Sequence, residues 1–137
     1  MNAKETALKI LEESYIGTMA TIQKNKPHTR YMTFFNEEFT LYTATSKKTQ
    51  KVDELEDNPY THILIGYEGE GFGDAYLEIE GIVRISDDDR LKEKTWNEHM
   101  KPWFSGPDDP DLVILKIKPD TIRLMNKKGE EPQTIEL

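Results

Sequence analysis

An antiparallel β-barrel with helices laid over its openings is the fold class that this sequence predicts, and three observations lead there. The chain offers six or seven strand-like segments against three helical ones. They are grouped β-rich, with the first three strands joined as a meander, instead of alternating strand and helix as a parallel α/β fold requires. Its 137 residues suit a single domain, residues 1–137, with one buried core.

Each element has its own signal. Ala3 to Glu13 reads as a helix: Asn2 can cap it, Glu5 stands three residues later, and Ala7, Ile10 and Leu11 share a face. Tyr15 to Gln23 is extended, stiffened by the β-branched Ile16, Thr18, Thr21 and Ile22. A turn at Lys24-Asn25-Lys26-Pro27 leads into a strand from His28 to Phe35, whose alternation puts Arg30, Met32 and Phe34 on one face and Thr29, Tyr31, Thr33 and Phe35 on the other. Asn36-Glu37-Glu38 turns the chain into a third strand, Phe39 to Thr43.

Thr45-Ser46 then offers caps for a helix through Val52 and Leu55, stopped at Asn58-Pro59. Tyr60 to Tyr67 is a strand, Glu68 to Asp74 a glycine-rich loop, and Tyr76 to Ile85 the longest strand. Ser86-Asp87-Asp88 starts a helix running to about Met100 and ended by Pro102. Leu112 to Lys118 and Thr121 to Asn126 are two further strands separated by Pro119-Asp120. After Lys127-Lys128-Gly129 the tail is weakly structured or forms a short edge strand.

Composition narrows the function. Asp and Glu number 26 against 18 Lys and Arg, a formal charge of −8 with a pI near 4.9, so a phosphate-gripping surface for nucleic acid is a poor expectation. The absence of cysteine excludes disulfides, thiolate zinc sites and a cysteine nucleophile. The charged, amphipathic N-terminus lacks the apolar core of a signal peptide, and no apolar run approaches the roughly 20 residues that span a bilayer. A cytoplasmic protein without membrane contact is expected.

The segment Thr43-Ala44-Thr45-Ser46-Lys47-Lys48-Thr49-Gln50-Lys51 is the richest in chemistry. Three lysines and four hydroxyl residues lie between a strand end and a helix start, where free N–H groups and the helix dipole attract phosphate or carboxylate. The alternative is an ordinary solvated helix start. Arg30 shares a strand face with Met32 and Phe34, so its charge needs a partner if that face is buried. That partner is either a phosphate gripped by the guanidinium fork or one of the many carboxylates.

Other motifs carry less. Gly69-Glu70-Gly71-Phe72-Gly73 precedes a strand, and flanking carboxylates would repel a pyrophosphate, so it is a hairpin loop instead of a dinucleotide motif. His28, His62 and His99 are too scattered for a metal site, and Asp108-Asp109-Pro110-Asp111 lacks the pattern of a calcium loop. Ser105-Gly106 has no nucleophile-elbow context. Trp96, His99, Met100 and Trp103 at helical spacing suit a core or a subunit interface.

The order Pro27-His28-x-Arg30-Tyr31-Met32, Leu41-Tyr42-Thr43, then Thr49-x-Lys51 ahead of Asn58-Pro59 resembles the pyridoxamine 5′-phosphate oxidase-like flavin-binding split barrels. Trp103-Phe104-x-Gly106-x-Asp108-Asp109-Pro110-Asp111-Leu112 is similar to their general stress protein 26 branch. The resemblance implies a six-stranded antiparallel split barrel, mainly β with flanking α, forming a homodimer with FMN in clefts at the subunit interface. It implies that Arg30 and Lys51 bind the flavin phosphate beside Thr49. Tyr31, Met32 and Thr33 would line the isoalloxazine ring, Thr43 would meet the ribityl chain or phosphate, and Trp103 would come from the second subunit.

The implied activity is that of an FMN-dependent oxidoreductase with an unidentified small-molecule redox partner, or of a stress-related flavoprotein that binds or senses flavin without turnover. Deazaflavin or haem on the same scaffold are the other ligands it leaves open. The C-terminal Arg-x-His signature of true pyridoxamine phosphate oxidases is absent, since Arg123-Leu124-Met125 leads into a different tail. Near Met125 the branch often carries an aromatic residue.

Overall fold

The computed structural model describes residues 2–69, 74–127 and 130–137. Residues 70–73 of the glycine-rich loop and Lys128-Gly129 lie outside the described residues. Helix α1 (Ala3–Glu13) opens on the expected cap, with the Asn2 side-chain oxygen accepting the Glu5 N–H at 2.8 Å, and buries Ala7 and Leu11. Strands β1 (Ile16–Gln23) and β2 (Lys26–Thr33) pair through a loop of two residues, Lys24 and Asn25, both at positive φ. Two left-handed residues match the right-handed strand twist, so the turn is tighter than the four residues expected. Pro27 therefore lies inside β2, which tolerates it because β2 is an edge strand.

Phe34 breaks the strand: its N–H donates to the Tyr15 carbonyl at 2.6 Å and its ring is buried. Strands β3 (Phe35–Glu37) and β4 (Thr40–Ser46) follow. Asn36 and Glu37 belong to β3 instead of the turn, which falls at Glu38-Phe39, with Glu38 at positive φ and its carbonyl accepting from the Asn36 amide at 2.9 Å. Helix α2 (Gln50–Asp57) has Thr49 as its N-cap residue. The caps expected at Thr45-Ser46 are instead the end of β4, because the ladder to a later strand extends through Ser46.

Strands β5 (Tyr60–Ile65) and β6 (Tyr76–Ser86) are followed by helix α3 (Asp89–Thr95). Asp88 caps α3 by accepting from the Arg90 and Leu91 N–H groups at 2.9 and 3.1 Å. The helix stops well before Met100 because Asn97 starts a separate 3-10 turn, Glu98–Met100, by accepting the His99 N–H. The two strands expected around Pro119-Asp120 are one, β7 (Leu112–Met125). The register passes from Gly81↔Pro119 to Glu80↔Thr121, leaving Asp120 as the extra residue of a bulge. Strand β8 (Gln133–Ile135) pairs with the far half of β7.

All pairings are antiparallel, in the order β2-β1-β5-β6-β7-β4-β3 with β8 beside β7. Six longer strands thus make the split barrel, and β3 and β8, three residues each, are additions to it. The ends of the curled sheet, β2 and β4, approach without a ladder. A side chain spans the split, the Thr43 hydroxyl donating to the Thr33 carbonyl at 2.7 Å.

The interior holds Met19, Phe34, Leu41, Ile63, Leu77, Ile79, Leu115, Ile117, Ile122 and Leu124, closed by Ala7 and Leu11 of α1 and by Leu55 of α2. On the outer face, Tyr42, Leu112 and Ile114 pack with Met100, Leu91, Trp96 and Phe104. No helix among the described residues is long and apolar enough to cross a membrane.

Gly81 sits at the bulge, where a Cβ would stand 2.9 Å from both the Ile117 side chain and the Lys118 carbonyl. Gly81→Ala is expected to destabilise the fold by about 1–3 kcal/mol through overpacking. A lower urea midpoint at unchanged slope would verify it.

Candidate functional site at the barrel split

The split gathers residues from three elements. From β2, His28, Arg30 and Met32 face the side on which Met19 and Thr21 of β1 are buried. From β4, Thr43 and Thr45 alternate with the outward Tyr42 and Ala44. Helix α2 starts beside them, and its first turns carry Lys51 and Glu54, three residues apart and so on one face.

Polar contacts tie these residues together. Arg30 donates from Nη1 to the Thr21 hydroxyl at 2.7 Å and to the Met19 carbonyl at 3.3 Å, while Nη2 faces Glu54 Oε2 at 3.4 Å. The buried Thr21 hydroxyl donates to the same Glu54 oxygen. His28 Nδ1 lies 2.9 Å from Glu54 Oε1. Lys51 Nζ donates to the Thr45 hydroxyl at 2.9 Å, and Thr49 donates to the Ser46 carbonyl at 2.8 Å.

The charges are strongly coupled. Glu54 is 4% exposed. Burial alone would push its carboxyl up, but the Thr21 and His28 hydrogen bonds and the neighbouring positive charges outweigh this and hold it below the ordinary value. Lys51 is pulled below the ordinary lysine value, first by burial and then by the charge of Arg30; Glu54 opposes that shift. Two cations are thus held close together with one carboxylate between them.

Several expected site residues meet here, and others do not. Arg30, Lys51, Thr43 and Thr49 come to the split, although the Thr43 and Thr49 hydroxyl hydrogens are committed to backbone carbonyls. The carboxylate alternative for Arg30 is realised in Glu54. Met32 packs against the interior core. Tyr31 is 78% exposed and points to the opposite side of β2, next to Thr18 of β1. Thr33 is also exposed, but its carbonyl receives the Thr43 hydroxyl. Trp103 is exposed on the segment that Phe104 anchors to the outer face. Glu54 and Thr21 were not expected, while Thr45 was expected only as one hydroxyl of the anion-site segment and His28 only as part of the family motif. The i, i+3 spacing of Lys51 and Glu54 and the i, i+2 spacing of His28 and Arg30 were the available signals, but neither reveals that α2 lands on the β1–β2 hairpin.

Because the Glu54 carboxyl titrates below its unfolded value of 4.5, its stabilising contribution is complete above that pH and disappears as the pH falls through the folded-state value. Glu54→Gln should cost about 1–3 kcal/mol near neutral pH by taking the charged acceptor from the part-buried Arg30 and the buried Thr21 hydroxyl. The gap to the unmodified protein should close in acid below pH 4.5, as read by urea unfolding across the acidic range.

The chain from residue 3 to 126 matches the family model for pyridoxamine 5′-phosphate oxidase. It is 51% identical over 134 residues to general stress protein 26 of Bacillus subtilis, covering 98% of this chain and 96% of that protein. The crystal structure of general stress protein 26 from Bacillus anthracis superposes with a TM-score of 0.88 at 36% identity over the whole of both chains. A haem-binding protein from Mycobacterium smegmatis, 17% identical, shares the fold at a TM-score of 0.80, with 98% of this chain and 58% of that one aligned. A split barrel with these matches along nearly its full length belongs to the pyridoxamine 5′-phosphate oxidase family, as a homologue of general stress protein 26.

Proposed function

We propose that residues 1–137 form one FMN-binding unit, that two copies make the functional dimer, and that the bound flavin serves a redox reaction. The observation that carries this reading is that β2 and α2 bring Arg30 and Lys51 to the same split, where burial, and after it the charge of Arg30, depresses the lysine. A bound anion would relieve the repulsion between the two. Arg30 Nε makes no hydrogen bond among the described residues, and a guanidinium and an ammonium together suit a phosphate monoester. The family is one that typically uses FMN, which favours flavin as the bearer of that phosphate.

In this reading Arg30 and Lys51 bind the phosphate, and Thr49 exchanges its bond to the Ser46 carbonyl for a phosphate oxygen. Thr43 keeps β4 joined to β2, so that the backbone of Tyr31, Met32 and Thr33, on the free edge of β2, is held where it can orient a ring. When bound, FMN would supply hydride transfer. The protein's part is to grip, orient and exclude water. The substrate would differ from pyridoxamine phosphate, because the C-terminal Arg-x-His signature is absent and Arg123 is engaged by Glu78 and Glu80 at 3.7 and 3.4 Å.

The second copy is favoured by the outer face of β1, β2 and β5. Ile16, Tyr31, Leu64 and Tyr67 are all exposed there, around a depression of about 400 Å³ that Tyr76 also lines. An apolar patch of this kind on a soluble chain marks an interaction surface. Covering it with a second copy would bring Tyr31 from exposure into a subunit interface, and Trp103 of the second copy would then supply a further aromatic wall.

Titration with FMN, followed by flavin fluorescence and set against riboflavin, tests the phosphate site. FMN is expected to bind at least about tenfold more tightly than riboflavin, and Arg30→Ala with Lys51→Ala should abolish that preference. Equal affinity for the two flavins in the unmodified protein would reject the reading. Sedimentation tests the dimer: the chain of 15.9 kDa should run at twice its mass, and Tyr31→Glu with Leu64→Glu should return it to the monomer.

A further inference from the structure

We infer that Glu54 is the positioning residue of the phosphate site, holding the Arg30 guanidinium in place directly and through Thr21. The inference rests on the phosphate reading above. A carboxylate this buried is costly unless paired and hydrogen-bonded, and every partner of Glu54 is a group of the site or its rim. The Thr21 hydroxyl of β1 and Arg30 and His28 of β2 all act on it, and it in turn acts on Lys51, one turn earlier on α2. The carboxylate leaves its own helix to reach the β1–β2 hairpin.

The geometry divides the guanidinium. Three acceptors, Thr21 Oγ1, the Met19 carbonyl and Glu54 Oε2, take bonds from the terminal nitrogens. This fixes the plane of the fork and leaves the Nε hydrogen and the second Nη2 hydrogen for a ligand. Without Glu54, Arg30 and Lys51 are like charges that have lost the carboxylate acting on both, and Arg30, on an edge strand, is held by its Nη1 bonds to Thr21 and the Met19 carbonyl alone. Glu54 thus does two opposing things to an incoming phosphate. Its own charge repels the anion, while its hold on Arg30 prepares the site. The two effects separate when Arg30 is removed, because only the repulsion then remains.

The phosphate preference, the ratio of FMN to riboflavin affinity, is measured in four proteins: unmodified, Glu54→Ala, Arg30→Ala and the double variant. Glu54→Ala should lower the ratio by about tenfold when Arg30 is present, and leave it unchanged or raise it when Arg30 is absent, a coupling of the size seen for residues in one hydrogen-bonded network. A drop in both backgrounds would mean that Glu54 only maintains the fold and would overturn the inference. An unchanged ratio in Glu54→Ala beside a lowered ratio in Arg30→Ala would overturn it too, with the phosphate site intact. An unchanged ratio in Arg30→Ala would instead reject the phosphate reading itself, and the inference with it.

Should Glu54→Ala fail to give a folded circular dichroism spectrum, Thr21→Val carries the same cycle. It removes the hydroxyl between carboxylate and guanidinium while keeping the shape of the side chain. Its expected effect is a fall of about threefold with Arg30 present and none without it.

Discussion

Strand β7 must satisfy the backbone of three neighbours at once. Along one edge it pairs with the whole of β6; along the other its first half carries β4 and its second half β8. No shorter strand could serve all three, and two strands meeting at a turn would break the sheet where β6 needs a continuous partner. The bulge at Asp120 reconciles the two demands: it absorbs one residue and spares Pro119 the need for an N–H in a regular ladder. Without it β6 and β7 could not stay in register along their length, and β4 would not reach the position at which Thr43 faces Thr33. The split exists because β7 is long and bent.

What fills the split is charge. The interior beside it is aliphatic, so ionic groups at its rim persist only in compensated sets. Arg30, Glu54 and Thr21 form such a set, and His28 meets the other oxygen of the carboxylate. Lys51 belongs to a second arrangement with Thr45. The two meet through space, Arg30 depressing the lysine and Glu54 restoring it. The anion-binding site we propose and the ion pair of Arg30 with Glu54 share the same atoms, so the two readings of Arg30 left open by the sequence do not exclude each other.

Local chemistry was legible in the sequence where it acts alone. Asn2 with Glu5 announced α1, Asp88 stood at the start of α3, and the alternation around Arg30 assigned its face correctly. Long-range geometry was not legible. Pro119 reads as a break, and only the facing Gly81 turns it into a bulge. Asn36-Glu37 has turn composition but lies in a strand because Asn36 pairs with Leu41 and Glu37 with Thr40. Met100 suits the end of a helix, yet Asn97 captures the His99 N–H first. In the site, the types of Arg30 and Lys51 and the hydroxyls near them were visible one by one. Glu54 was not, since nothing near it in sequence says that a helix will lean against residues 21 to 30.

The same long-range pairing has a kinetic side. The β1–β2 hairpin closes over two residues, but β1 also pairs with β5, and β4 waits for β7 near the far end of the chain. A topology with so many distant partners has high contact order and folds slowly, because loop-closure entropy is lost before the pairing returns it. Arg30, Thr43 and Lys51 come from elements that these distant pairings hold together. Any molecule that fits the split thus recognises the completed fold and shifts the folding equilibrium by mass action. The supply of that molecule and the survival of the protein are linked in this way.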